Sequence, residues 1–445
     1  MQITVIGTGY VGLVSGSCLA EKGHHVTCID IDKNKIKNLN LGNCPIYEDG
    51  LPAILEKNIG NRLFFSDDLE ESINKSSVVI ICVGTPFDGE KIDLSYLEKA
   101  SSQIGKIINN IPERKTIIVK STVIPGTTET FVSNVIESHS GKKVSIDFGL
   151  GMNPEFLREG SAVQDFMNPD RIVLGGTDPK TIDVMKEIYL PFVGTDIIET
   201  NCTTAELIKY LSNSYLATLI SFSNEIANFC TSYKNVDAIE VFDGLHKDRR
   251  LSPIINGNRI SPDINTYLKP GCGFGGSCFP KDVKSLISEA KTRDVSMPLL
   301  NSVIDINEAQ PKKMLELLLD NLTSLKDRKI GILGLAFKPG TDDLRESPSL
   351  KVIDFLLKEK VKILAHDPIA NKVAKKQINN ENINFYDDIE EVLSDSEAVL
   401  VMTAWDEYKD IHKIIDKLNN NIFVIDGRRI LDKDNFQNYS GIGLS

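Results

Sequence analysis

The chain has 445 residues, 41% of them hydrophobic and 25% charged, with a formal net charge of -12. That length exceeds what one hydrophobic core sustains, so two or three domains are expected. The acidic balance argues against a nucleic-acid partner, and no apolar run approaches the ~20 residues that cross a bilayer. The eight cysteines are scattered without metal-ligand or disulfide-scaffold spacing, and the N-terminus opens as a strand rather than a secretory core. A cytoplasmic protein with no metal and no membrane partner is therefore expected.

In chain order, short apolar runs at residues 3–6, 26–29, 78–83, 117–120, 148–152 and 172–174 read as strands. Helical patterns separate several of them, as in an open parallel sheet with crossover helices. Gly7, Gly9 and Gly12 follow the first strand and precede a helical pattern, and Asp30 ends the next strand. In that context the glycines are a Rossmann-type dinucleotide fingerprint. Gly7 permits the tight turn, Gly9 lets a pyrophosphate approach the backbone, and Gly12 lets helix pack on strand. Asp30 favours NAD over a cofactor bearing a 2′-phosphate. Lys35, five residues on, reads as a neighbour of the same ribose, a solvated cation, or a residue that weakens the NAD preference.

Two later strand ends run into small residues: Thr85 and Pro86 after residues 80–83, and Ser121 and Thr122 after residues 117–120. Ligands bind outside the carboxyl ends of such strands, so these positions suit the cofactor. For Thr85 a plain turn is an equal alternative.

Residues 203–230 read as one long helix, with Thr203 and Glu206 as a capping box and Lys209 and Asn213 on one face, which taken alone reads as a solvated face. It is apolar on more than one face, enough both to connect domains and to pair with a second copy. Further helical sequence extends to about residue 320 around Gly273-Phe274-Gly275-Gly276-Ser277-Cys278-Phe279-Pro280-Lys281-Asp282. A cysteine on a glycine-dense loop, with a cation and a carboxylate just beyond, suits a thiol nucleophile, with an inert loop thiol as the alternative. A second alternating block has strands at 329–335, 361–365, 398–402 and 422–425, and Ser347-Pro348 starts a helix there. The expected fold is thus α/β: a Rossmann-type domain over 1–200, a central long-helix and dimerisation domain over 201–320 carrying the cysteine loop, and a Rossmann-like α/β domain over 321–445.

These motifs together resemble the UDP-glucose/GDP-mannose dehydrogenase family: GTGYVGL at 7–13, VGTP at 83–86, KSTV at 120–123, NPEFLREG at 153–160, the Lys209–Asn213 helix, GFGGSCFPKD at 273–282, GLAFKPGTDDLRESPS at 334–349 and DGRR at 426–429. The resemblance spans almost the whole chain. It implies a four-electron oxidation of a nucleotide sugar at C6, with UDP-glucose the leading substrate, using two NAD and one water. GDP-mannose or a UDP-N-acetylhexosamine is the alternative substrate, and a catalytically silent NAD-binding regulator is the alternative of another class.

Carried over by position, the resemblance makes Cys278 the nucleophile of a thiohemiacetal and thioester. Lys209 and Asn213 become the oxyanion donors, Asp282 the water-positioning acid with Thr122 beside it, and Glu155 a proton-transfer group. Tyr10, Val11, Glu159 and Arg345 are expected at the cofactor. Glu155, Phe156, Leu157, Lys209, Asn213, Tyr267, Lys269, Phe274, Gly275, Phe337, Lys338 and Arg428 are expected at the nucleotide sugar. The resemblance also implies at least a homodimer, in which an arginine reaches a neighbour's sugar site. This chain departs from that pattern: Arg259-Ile260-Ser261 lies in a longer loop before Cys278 and has Ser261 where the family has glycine, with Arg249 and Arg250 as the other candidates.

Overall fold

The computed structural model describes residues 1–322 and 324–445, which fall into two compact units, Met1–Ser212 and Asn213–Ser445. In the first unit the apolar runs form β1 (Gln2–Ile6), β2 (His25–Ile29), β3 (Leu63–Ser66), β4 (Val78–Ile81), β5 (Thr116–Val119), β6 (Gly149–Met152), β7 (Arg171–Gly176) and β8 (Asp196–Thr200). They make one sheet in the order β3-β2-β1-β4-β5-β6-β7-β8. Every residue of β4 and β5 is buried, as expected where helices cover both faces of a parallel sheet. One pair breaks the parallel pattern: β7 runs antiparallel to β6, with Gly151 opposite Gly176.

The second unit holds a sheet of β11 (Lys329–Leu333), β12 (Lys362–His366), β13 (Ile383–Phe385), β14 (Ala398–Val401), β15 (Phe423–Asp426) and β16 (Tyr439–Gly441), all parallel, in the order β13-β12-β11-β14-β15-β16. Before it comes a small hairpin of β9 (Ile254–Ile255) and β10 (Asn258–Arg259), turned by Asn256 and Gly257, both at positive φ. The stretch expected to be a longer loop is therefore an Asn-Gly hairpin.

Both sheets turn at their first strand in the same way. Gly7 and Gly334 each adopt φ +97°, and their N–H groups donate to Ile29 and His366 carbonyls at 2.8 Å. A carboxylate from the end of the next strand then takes the following N–H: Asp30 from Thr8 at 3.0 Å, Asp367 from Leu335 at 2.8 Å.

The long helix runs Cys202–Cys230. The expected capping box is not formed. Asn201 caps the helix, its Oδ1 accepting from Thr204 N at 2.7 Å. Thr203 donates instead to Glu129, and Glu206 accepts from Thr128 N at 2.9 Å. The helix start packs on a neighbouring turn whose own N–H groups need acceptors, and those recruit Glu206. Among the described residues no helix is long and apolar enough to cross a membrane.

A buried ion pair secures the last strands of the second unit. Asp237, the N-cap of helix Ala238–His246, accepts from Arg429 at 2.8 Å and from Lys433 at 2.9 Å. Burial alone would raise the Asp237 pKa, but the two cations more than offset it and hold it down at about 2. Removing one partner of a buried pair strands the other, so Asp237→Ala should cost about 3–5 kcal/mol at pH 7. Because the folded pKa lies below the ~3.9 of an unfolded aspartate, this stabilisation is full above pH ~4 and fades as pH falls through 2. Urea unfolding of both proteins across that range should show the gap closing with acid.

Candidate active site

The glycine turn of β1 leaves an open cradle. A Cβ on Gly7 would come within 2.7 Å of the Cys82 carbonyl, and one on Gly12 would collide with the Gly7 carbonyl, so both glycines are demanded by packing. A Cβ on Gly9 would meet nothing within 4 Å. Gly9 is instead the N-cap of helix Tyr10–Glu21, where bare N–H groups face outward. Space above that backbone is what a pyrophosphate requires, so the residues present fit a dinucleotide. Val11 packs on the core behind the cradle. Asp30, which also accepts from Asp32 N at 3.1 Å, is paired with Lys35 at 3.2 Å. Burial would raise its pKa, but the Thr8 hydrogen bonds, the Asp32 N–H and Lys35 bring it to about 2.

Next along the sheet edge, the Thr85 hydroxyl donates to the Thr122 carbonyl at 2.7 Å and the Ser121 hydroxyl to Val83 at 2.7 Å, tying two strand ends together. Pro86 holds the same loop through its carbonyl, which accepts from Asp93 N at 2.8 Å. After β6, Glu155 lies buried with Oε1 3.0 Å from the Lys209 ammonium and Oε2 2.7 Å from Leu157 N. Burial acts to raise the Glu155 pKa, yet Lys209 prevails and holds it below the usual carboxylate range. Phe156 lies under both the Arg171 guanidinium, at 4.1 Å, and Lys209, at 5.5 Å. A cavity of about 80 Å³ opens beside Lys120, Glu155, Phe156 and Arg171.

In the second unit Cys278 ends the glycine loop and is the N-cap of helix Phe279–Thr292. Its sulfur therefore stands at the positive end of a helix, 3.5 Å from the Ser277 hydroxyl. Asp282 lies one turn on, its N–H donating to the Cys278 carbonyl at 2.8 Å. It is 1% exposed, and its carboxylate accepts from Asn213 Nδ2 at 2.6 Å and Lys281 Nζ at 2.6 Å. Asn213 sits one helical turn beyond Lys209, and both are buried rather than solvated. Six of the eight cysteines are buried, and burial pushes the Cys18 and Cys82 thiols up to about 12. Cys272, one of the six, rests its sulfur 3.6 Å from the Met402 carbonyl.

Sequence models of three domains match in order: the UDP-glucose/GDP-mannose dehydrogenase family NAD binding domain over residues 1–193, its central domain over 203–309 and its UDP binding domain over 331–433. The UDP-glucose 6-dehydrogenase TuaD of Bacillus subtilis is 41% identical over 98% of this chain and 91% of its own length. The chain belongs to the UDP-glucose/GDP-mannose dehydrogenase family. A UDP-glucose dehydrogenase from the hyperthermophilic archaeon Pyrobaculum islandicum superimposes with a TM-score of 0.90 at 34% identity, covering 100% of this chain and 98% of that one. A UDP-D-ManNAc dehydrogenase from Pyrococcus horikoshii gives 0.83 at 29% identity, covering 100% and 99%.

The remaining family motifs meet around Arg428. Its guanidinium donates to the carbonyls of Met402 at 2.7 Å, Gly273 at 2.9 Å and Phe337 at 3.4 Å, bracing the cysteine loop against two strand ends. Lys338 lies 5.8 Å over the Phe337 ring, and Arg345 pairs with Asp343 while its carbonyl accepts from Gly276 N at 2.8 Å. A Cβ on Gly275 would collide with the Glu346 carbonyl. Phe279 carries Phe274 and Tyr267 at ring distances of 5.9 and 6.4 Å. The carbonyl of Lys269 accepts from the Ser223 hydroxyl at 3.0 Å. Glu159 adds negative charge beside the Tyr10 phenol, whose pKa burial and Glu48 raise. Of the three arginines in the hairpin region, Arg259 donates to the Lys247 and Ser252 carbonyls at 2.8 and 2.9 Å and Arg250 pairs with Asp248, while Arg249 is exposed.

Sequence reasoning missed the groups that shape the cysteine loop. Asn307 grips Phe274 twice, accepting from its N–H at 2.7 Å and donating to its carbonyl at 3.0 Å. Asn224 and Gln310 hold the N–H and carbonyl of Gly271, each at 2.8 Å. The signal was present: Asn307 and Gln310 interrupt a buried face that runs from Val303 and Ile304 to Met314. Asn307→Leu should leave two buried backbone groups unpaired and cost about 2–5 kcal/mol. Denaturant unfolding should register that loss, together with faster alkylation of Cys278 as its loop loosens.

Proposed function

We propose that this enzyme oxidises the C6 alcohol of UDP-glucose to the carboxylate of UDP-glucuronate, through a thioester on Cys278. The observation that carries the reading is a partly exposed cysteine at a helix start with a fully buried, doubly held carboxylate one turn behind it, in a chain whose curated relatives are UDP-glucose 6-dehydrogenases. The cofactor is NAD, which when bound accepts the hydride released from C6 in each of two oxidations.

The first oxidation leaves an aldehyde, which has no hydride to give until a nucleophile adds. The Cys278 sulfur bonds to C6 and the carbonyl electron pair becomes an oxyanion, which the Lys209 ammonium and the Asn213 amide stabilise. Loss of the second hydride converts this thiohemiacetal to a thioester. Water then adds to the thioester carbonyl, Asp282 takes its proton, and the C–S bond breaks to return the thiolate. Glu155, paired with Lys209 at 3.0 Å, holds that ammonium in place and serves proton transfer around hydrolysis. Phe156, Leu157, Tyr267, Lys269, Phe274, Gly275, Phe337, Lys338 and Arg428 bind the nucleotide sugar. Thr85, Pro86, Ser121, Thr122, Glu159 and Arg345 complete the cofactor site, and Thr122 assists Asp282.

These roles divide the chain into a cofactor domain over 1–200, a central domain over 201–320 and a nucleotide-sugar domain over 321–445. Exposed Leu211, Tyr215, Phe222 and Phe229 recur at four- and seven-residue spacing on the long helix, a stripe suited to a second copy in a homodimer. The eight cysteines form no disulfide among the described residues, which fits the reducing cytoplasm.

Initial rates on purified UDP-glucose, GDP-mannose and UDP-N-acetylmannosamine test the substrate, and UDP-glucose should give the highest kcat/KM with two NADH per sugar. A preference for the N-acetylated sugar would move the enzyme to the activity named for the Pyrococcus horikoshii protein. Lys209→Ala should lower kcat about 10²–10³-fold and leave the NAD KM unchanged. An equal loss of NAD affinity would place Lys209 at the cofactor instead.

A further inference from the structure

We propose that Glu48 is a positioning residue that fastens the segment 153–160 to the nucleotide cradle. Glu48 lies between helices Lys33–Asn40 and Leu51–Asn58 and is 3% exposed. Its Oε2 accepts from the Tyr10 hydroxyl and from Gly160 N at 2.8 Å, while its Oε1 accepts from Val163 N at 3.4 Å. Gly160 N also lies 3.0 Å from the Tyr10 hydroxyl, which closes a three-way link.

Tyr10 is the first residue of the helix that presents its N–H groups to the cofactor phosphates. Gly160 ends the segment that begins at Asn153 and carries Glu155. The other end of that segment is also pinned. Asn153 Oδ1 accepts from Lys120 at 2.9 Å and from Tyr189, and Asn153 Nδ2 donates to the Val173 carbonyl at 2.9 Å. Between the two anchors stand Glu155 and Phe156, so removing Glu48 frees one end of the stretch that carries them.

The donors to Glu48 are neutral: a phenol and two backbone N–H groups. Keeping a carboxylate in such surroundings is expensive, and apolar packing would serve stability alone as well or better. What the carboxylate adds is geometry: two acceptor oxygens that hold a loop, a helix start and a second helix start at one point.

This inference rests on the reaction proposed above, because its kinetic effect is read on that reaction. The test compares the full chain with Glu48→Gln, Tyr10→Phe and the double variant, by steady-state kinetics on UDP-glucose and by calorimetric titration of NAD. Glu48→Gln should lower kcat/KM for UDP-glucose about 10- to 100-fold and weaken NAD binding several-fold. Tyr10→Phe should move both in the same direction, and the double variant should lose no more than Glu48→Gln alone. Unchanged kcat and KM with only a lower Tm would overturn the proposal, as would additive losses. Should the wild-type chain turn over no nucleotide sugar while Glu48→Gln still weakens NAD binding, the reaction fails and the link to the cradle stands. Tyr10→Phe cuts the same link without altering the buried charge, and carries the test should Glu48→Gln not fold.

Discussion

The path of residues 271–278 is held by side chains at most of its anchor points, and by two backbone bonds, from Cys272 N to the Gly427 carbonyl and from Gly276 N to the Arg345 carbonyl, each at 2.8 Å. No strand or helix runs through this loop, so its backbone N–H and carbonyl groups have no regular partners, and buried groups of that kind must find some. Asn224, Asn307 and Gln310 supply them from two helices, and the Arg428 guanidinium supplies one more at Gly273. Each contact fixes a point on the loop, and together they decide where helix Phe279–Thr292 begins. Cys278 stands at that beginning, so the position of its sulfur depends on this network. Asp282 is placed by the same start, one turn on, and is then held by Asn213 and Lys281.

The chain uses one turn geometry twice, with different outcomes. At the end of β2, Asp30 remains partly exposed at the rim of an open cradle. At the end of β12, Asp367 is 1% exposed and accepts from Leu335, Ala336, Ile369 and Ala370 N–H groups and from the Trp405 indole. A carboxylate so filled cannot take a ribose. The first acid stays partly open to solvent, whereas the second is enclosed within the fold. The difference lies in what packs above the acid, not in the strand–turn–helix unit itself.

How much of this was legible in the sequence follows from where its physical causes lie. Runs such as Val78–Ile81 are buried on both faces and announce themselves by continuous branched apolar residues. The glycine turn and Asp30 were readable because Gly7 and Gly12 are demanded by local backbone geometry. The edge strands β3 and β8 escaped, since β8 is largely exposed and carries no burial pattern. The antiparallel course of β7 could not be read either, because pairing direction is settled by the connection and not by composition. The expected box of Thr203 and Glu206 failed for a related reason: both side chains answer to residues more than seventy positions away. Glu48 and Asn307 act through backbone groups remote in sequence, and no local rule points to such contacts. Family resemblance placed Cys278, Lys209, Asn213 and Asp282 on a page of roles; the structure adds which of them touch, Lys209 to Glu155 and Asn213 to Asp282.

The central claim is a covalent bond between the Cys278 sulfur and C6 of the sugar. Rapid acid quenching of the full chain during turnover with UDP-glucose and NAD, followed by peptide mass mapping, reads that bond directly. The account predicts that the peptide containing Cys278, and no other cysteine peptide, gains the mass of the substrate less four hydrogens. Acid product accumulating with no adduct on Cys278 at any quench time, or an adduct on another side chain, would contradict it.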